Sequence, residues 1–257
     1  MTGLPFWHID AFAEAPFAGN PAGVIRLDRW REEEELQRIA REINLPATAF
    51  AVPAQGEADY DIRWFSPRGE IGLCGHGTLA AGHALIEGEA ICFATRTAGL
   101  ARVMRDGGTL SLSLPIIHAE PRYLPDAVEV IGGEPAETLW HERGYGILRY
   151  ADEAEVRALK PDFAALARMG DVQFSATAPG ADTDIVSRVF SSRVGEDAVT
   201  GSAHSVLTPY WAERLGRESF TAFQASSRGG RIDCRLDGEC AVLSGRCVTI
   251  VEGRFLA

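Results

Sequence analysis

The sequence predicts an α/β chain made of two similar halves, and two observations carry that prediction. One is the stretch Leu73 Cys74 Gly75 His76 Gly77 Thr78 Leu79 Ala80 Ala81 Gly82. An alternating run from Tyr60 to Phe65 leads through Pro67 and Gly69 into this glycine turn, and a helix rich in alanine and leucine follows. The other is a second copy. Arg63 Trp64 Phe65 Ser66 Pro67 Arg68 matches Arg188 Val189 Phe190 Ser191 Ser192 Arg193 in its arginines, its phenylalanine and a serine. After a one-residue slip Glu70 falls on Glu196, Cys74 on Thr200 and Gly75 on Gly201, with a second helix predicted from Ser202. Two unrelated strand-turn-helix units are the alternative to a duplication. A glycine turn at a helix start presents unpaired N–H groups backed by the positive end of the helix dipole, which suits a carboxylate or another small anion. If the halves face each other, both turns grip one anionic ligand.

In chain order, Leu4 to Phe12 reads as a strand, Pro16 to Gly23 as a rigid loop, and Val24 to Leu27 as a short strand. Arg29 to Ile43 is helical, with Leu36, Ile39, Ala40 and Ile43 on one face and the acidic run Glu32 to Glu35 at its start. Thr48 to Val52 begins a strand. Beyond the first turn, Ala90 to Thr95, Leu100 to Arg105 and Thr109 to Leu114 are strands, the last two joined by Asp106 Gly107 Gly108. The three prolines between Pro115 and Pro125 set the boundary, giving halves 1–118 and 119–257. In the second half Val128 to Ile131, Leu139 to Tyr150, Val172 to Thr177 and Ile185 to Phe190 read as strands. Glu153 to Met169 holds helical turns around Pro161, and Ser202 to Leu215 is a helix interrupted at Pro209. Phe220 to Ser226, Arg231 to Leu236 and Cys240 to Glu252 close the chain as strands.

With 36 acidic against 25 basic residues in 257, the net charge is -11. That disfavours nucleic acid and anionic membrane surfaces as general partners, because both call for a basic face. The five cysteines, an odd number without a CxxC pair, argue against a disulfide framework and a zinc site. No basic leader with an apolar core opens the chain and no apolar run reaches membrane-spanning length, so the expectation is a soluble cytoplasmic protein.

Gly75 His76 Gly77 Thr78 Leu79 Ala80 satisfies the loose dinucleotide pattern GxGxxA, but the acid expected about 20 residues on is missing from Phe93 Ala94 Thr95 Arg96 Thr97. Flanked by two glycines, His76 reads as a ligand contact. Asn20, held out of the helical region by Pro21, either projects its amide into a cleft or bonds its own backbone in a turn. Asp197 either caps the second turn or orients a substrate group, and Ser202 reads as an N-cap. His83 reads as a core or interface residue of its helix, and His204, three residues after the second turn, as either a ligand contact or a helix-buried residue. Arg63, Arg188 and Arg228 are each a ligand contact or a fold-stabilising arginine.

Five motifs in order resemble one known family: Asp10 Ala11 Phe12; Pro16 Phe17 Ala18 Gly19 Asn20 Pro21 Ala22; Cys74 Gly75 His76 Gly77 Thr78; Asp197 Ala198 Val199 Thr200 Gly201 Ser202 Ala203 His204; and Gln224 Ala225 Ser226 Ser227 Arg228 Gly229 Gly230. They look like the PhzF family of phenazine-biosynthesis-like isomerases. The resemblance implies a diaminopimelate-epimerase-like fold, two pseudo-symmetric α/β halves, each a curved sheet around a central helix, with the active site in the cleft between them. It implies homodimers and catalysis without metal or organic cofactor. Carried over by position, His76, Asp197 and Ser202 contact substrate or handle its proton, and the turns at Gly75, Gly77 and Gly201, with Asn20, bind a small carboxylate-bearing substrate.

The family's acid/base glutamate falls on Ala47, in Pro46 Ala47 Thr48 Ala49 Phe50. The two cysteines of related epimerases fall on Cys74 and Thr200. An alanine cannot move a proton, which leaves Cys74 as a candidate single base. The expected function is an isomerase in which Asp197, His76 or Cys74 has taken over proton transfer. A small-molecule-binding protein with altered or lost chemistry is the alternative.

Overall fold

The structure, a computed structural model, describes residues 3–256. These divide into two compact units, one of residues 3–113 and 244–256, the other of residues 114–243.

The first unit runs β1 (Leu4–Ala11), β2 (Asn20–Arg26), α1 (Glu33–Ile43), β3 (Ala47–Pro53), β4 (Tyr60–Ser66), β5 (Gly69–Ile71), α2 (Gly75–Leu85), β6 (Ala90–Thr95), β7 (Leu100–Asp106) and β8 (Thr109–Pro115). Two pairs are parallel, β2 with β3 and β4 with β6; the first is bridged by α1, the second by α2. The chain's final strand, Cys247–Phe255, pairs antiparallel with β1 and so returns to this unit, away from the half in which the sequence reading put it. Helix α1 is amphipathic and seals a core of Ile25, Leu36, Ile39, Phe50 and Phe65. Helix α2 contacts β1, β2, β3 and β7 and is buried nearly all round, from Gly77 through Gly82 and again at Leu85.

Its small residues allow that enclosure. A Cβ on Gly82 would lie 2.7 to 3.0 Å from Val103 Cγ1, Cβ and Cγ2, atoms that a stiff β-branched side chain cannot withdraw. Gly82→Ala gains about 1 kcal/mol of helix propensity and loses about 1–3 kcal/mol to overpacking. The expected result is a net loss of stability in urea unfolding that Val103→Ala partly relieves.

The second unit repeats the plan with β9 (Glu120–Pro121), α3 (Pro125–Ile131), β10 (Glu137–His141), β11 (Tyr145–Arg149), α4 (Glu153–Ala158), α5 (Phe163–Leu166), β12 (Gln173–Pro179), β13 (Ile185–Ser191), β14 (Gly195–Asp197), α6 (Gly201–Leu215), β15 (Ser219–Gln224), β16 (Gly230–Asp237) and β17 (Cys240–Gly245). Here β11 and β12 are parallel across α4 and α5, and β13 and β15 are parallel across α6. The duplication seen in the sequence is repeated in detail. Phe65 pairs with Glu70 as Phe190 pairs with Glu196. Arg63 binds Glu70 at 2.8 Å and Arg188 binds Glu196 at 2.7 Å, each guanidinium 5.0 Å from the ring of Phe65 or Phe190. Both arginines pin a strand to its short return and are fold-stabilising.

Several elements differ from the sequence reading. Val128 to Ile131 lies in helix α3, because Pro125 opens a first turn and Ala127 and Ile131, four apart, are both buried. Leu139 to Tyr150 is a hairpin turning at Gly144, whose φ is +85°. Cys240 to Glu252 divides into β17 and the final strand. Helix α1 begins only at Glu33. Pro209 does not interrupt α6: the Ser205 carbonyl, which a proline four residues on cannot bond, accepts instead from Ile117 N at 3.1 Å.

Candidate functional site

In the first unit the predicted residues gather at the start of α2. Cys74 occupies the N-cap position in an extended conformation (φ -135°, ψ 99°), and no side chain caps the helix. The first-turn N–H groups of Gly75, His76 and Gly77 have no acceptor within the helix, while Thr78 closes the turn on the Cys74 carbonyl through N at 2.9 Å and Oγ1 at 2.7 Å. Cys74 Sγ lies 3.6 Å from His76 Nδ1 and 3.8 Å from Nε2. Asn20, fully buried at the start of β2, donates from Nδ2 to His76 Nδ1 at 3.4 Å. The Asn20 amide thus lies against the His76 ring.

Two features around this turn escape sequence reading. Gly19 must be glycine, since its φ is +66° and a Cβ would lie 2.2 Å from Ala11 O. Trp64 Nε1, on a side chain only 2% exposed, has no hydrogen-bond partner among the described residues and would lie 3.4 Å from a Cβ on Gly77. Ala47 is fully buried and in register with Ala22 on β2, which shares a sheet face with Asn20, so its methyl is on the face that carries Asn20.

The second unit builds the equivalent turn differently. Thr200 holds the N-cap position of α6 (φ -121°, ψ 104°), the counterpart of Cys74, again without a side-chain cap. Helix α6 starts at Gly201, so Ser202 is inside the first turn and is not the N-cap; its Oγ lies 3.4 Å from Gln173. Asp197 Oδ2 accepts from Thr200 Oγ1 at 2.6 Å and Oδ1 from Ala198 N at 2.9 Å. The buried Gln224 amide accepts from Thr200 N at 2.9 Å and donates to Asp197 O at 2.8 Å and Thr200 Oγ1 at 3.1 Å. Neither Gln173 nor the grip of Gln224 carries a local sequence signal, since each acts on residues more than 20 positions away.

The two helix histidines, His83 and His204, are packed within their units. His83, half-buried, lies 3.0 Å from Thr249 Oγ1, and burial, with Arg105 adding to it, lowers its pKa. His204 is fully buried, its Nδ1 2.8 Å from the Thr200 carbonyl, and burial pushes its pKa down to about 4. The folded state therefore holds His204 neutral. Its contribution is complete above the unfolded value of 6.5 and is lost as pH falls from there through about 4. The thermal midpoint is expected to drop over that window, by the equivalent of about 3 kcal/mol, and the drop should shrink in His204→Gln.

Among the described residues no group of three or more histidine, cysteine or acidic side chains could hold a metal ion, and no helix is long and apolar enough to cross a membrane.

Comparison with known proteins places the chain in a family. The chain is 46% identical over 262 residues to a Pseudomonas aeruginosa protein described as an uncharacterized isomerase, covering 98% of each. It is 34% identical over 289 residues to the human phenazine biosynthesis-like domain-containing protein, covering 99% of each. The crystal structure of a PhzF-family phenazine biosynthesis protein from Enterococcus faecalis superposes over all of both chains with a TM-score of 0.93 at 35% identity. A hydroxyproline epimerase from Agrobacterium vitis shares the fold, with a TM-score of 0.63 at 13% identity over 98% of this chain and 92% of that one. Residues 9–122 and 141–253 match the phenazine biosynthesis-like protein family, PhzC-PhzF, and the chain belongs to that family.

Proposed function

We propose that the protein is an isomerase that moves a proton between carbons of a small carboxylate-bearing substrate, without metal or organic cofactor. The observation that carries this is the pair of uncapped helix starts, each with a proton-handling group beside it: Cys74 and His76 at α2, Asp197 at α6. The N–H groups at Gly75, Gly77, Gly201 and Ser202 bind the anion, and Asn20 orients His76. One group removes the substrate proton and the other returns one to a different carbon, so the substrate is rearranged with no net gain or loss. The reading takes homodimeric assembly and a cytoplasmic setting from the family resemblance.

A second reading rests on Ala47. If the glutamate that the resemblance places there is indispensable, the protein binds its ligand without converting it. Mass spectrometry of metabolites retained by the purified protein, repeated in deuterated buffer, separates the two. A retained carboxylate that gains deuterium supports the isomerase; an unlabelled one supports the binder. In the second case Ala47→Glu should create exchange.

A further inference from the structure

We infer that the indole N–H of Trp64 is a further ligand-binding donor, which bonds the carboxylate seated at the first turn of α2. The inference rests on the proposed function for that carboxylate, and every residue in it belongs to the first unit. Trp64 is on β4, in register with Ala49 of β3 and Ile71 of β5, and is 2% exposed. Its Nε1 has no hydrogen-bond partner among the described residues. A buried indole N–H ordinarily finds an acceptor. The second unit shows the ordinary case, where the equally buried Trp211 donates from Nε1 to Thr177 Oγ1 at 3.0 Å.

The surroundings of the orphaned donor point to an anion. A Cβ on Gly77 would lie 2.9 Å from Trp64 Cδ1, 3.4 Å from Trp64 Nε1 and 2.9 Å from Cys74 Sγ. The indole edge therefore packs against the bare Cα of Gly77, an approach that only glycine admits. Gly77 is the third residue of α2, so its own N–H is one of the first-turn donors without an acceptor in the helix. The strand neighbours Ala49 and Ile71 offer only apolar side chains, and a thiol sulfur is a weak acceptor. What the fold places beside one unpaired donor is thus more donors, backed by the positive end of the helix dipole. Nε1 and the Gly77 nitrogen are at most about 6 Å apart by covalent geometry. A carboxylate accepting at both oxygens spans donors up to about 8 Å apart, so one such group serves both. The indole is neutral and adds direction to the site without adding charge.

The test is a ¹H–¹⁵N NMR titration of the full-length protein with sodium acetate, the simplest carboxylate, at constant ionic strength. The chain has five tryptophans, and the Trp64 indole signal is the one lost in Trp64→Phe. The expected result is a saturable downfield shift of the Trp64 indole proton with the same midpoint as the Gly75 and Gly77 amides, while Trp211, already bonded, stays in place. Trp64→Phe keeps an aromatic ring and removes the donor, and should weaken acetate at those amides about tenfold or more. Acetate that shifts Gly75 and Gly77 but not the Trp64 indole overturns the inference and leaves the anion site standing. Acetate that shifts none of them overturns both. Should Trp64→Phe fail to fold, replacing the other four tryptophans one at a time assigns the signal by elimination, and the parental titration decides. No turnover enters the measurement, so a retained ligand that gains no deuterium would sink the isomerase reading and leave the Trp64 contact intact.

Discussion

Cys74→Ala should lower isomer formation by about 10²–10⁴-fold, the range for removing one positioned acid or base, while leaving the fold intact. The sulfur is buried and within 4 Å of both His76 ring nitrogens, beside the first-turn N–H groups of α2 that the proposed function gives to the anion. Alanine keeps the N-cap backbone and the Thr78 closure, both of which depend on main-chain atoms of residue 74. The loss should therefore fall on kcat and spare ligand affinity. If Asp197 accepts the substrate proton, Cys74→Ala still washes deuterium from solvent into a retained carboxylate, because the accepting group remains, and Asp197→Asn abolishes that washing-in. The two variants then split removal of the proton from its return. Equal loss of exchange in both would place removal on the thiol and reverse the assignment.

What was legible in the sequence follows from how local each signal is. The glycine turns, the Arg63/Glu70 and Arg188/Glu196 repeat and the match of Cys74 with Thr200 lie within short windows, and the structure gives the two halves the same strand pairing and the same helix entry there. The strand-like reading of Val128 to Ile131 failed because β-branched propensity is weaker than a proline start and one face buried against α5 and its neighbours. Pro209 misled because the compensating donor, Ile117 N, lies far upstream in sequence. The return of the final strand to β1 joins the two ends of the chain, which no window of residues can announce. The same holds at the site. His76 and Asp197 stood out by their neighbours, whereas Gln173, Trp64 and the role of Gln224 exist only through contacts made across the fold.

Gln224→Leu is the substitution with the largest expected effect on stability. The side chain is fully buried and satisfies three groups of the α6 entry at once: Thr200 N, Asp197 O and Thr200 Oγ1. Leucine fills a similar volume and leaves all three without that partner. An orphaned buried polar group costs about 1–3 kcal/mol, and the three share one short segment, so their losses do not add in full. A total of about 3–5 kcal/mol is expected, read as a lower urea midpoint at unchanged slope. Ser226 Oγ, which donates to Ala198 O at 2.7 Å, holds the same segment from one strand end further on and limits the damage. Ser226→Ala alone should cost about 1 kcal/mol, and the double variant more than the sum, because each clamp masks the loss of the other. A cost for Gln224→Leu near that of an ordinary surface change would mean that solvent replaces its bonds and that the entry to α6 is held by its backbone alone.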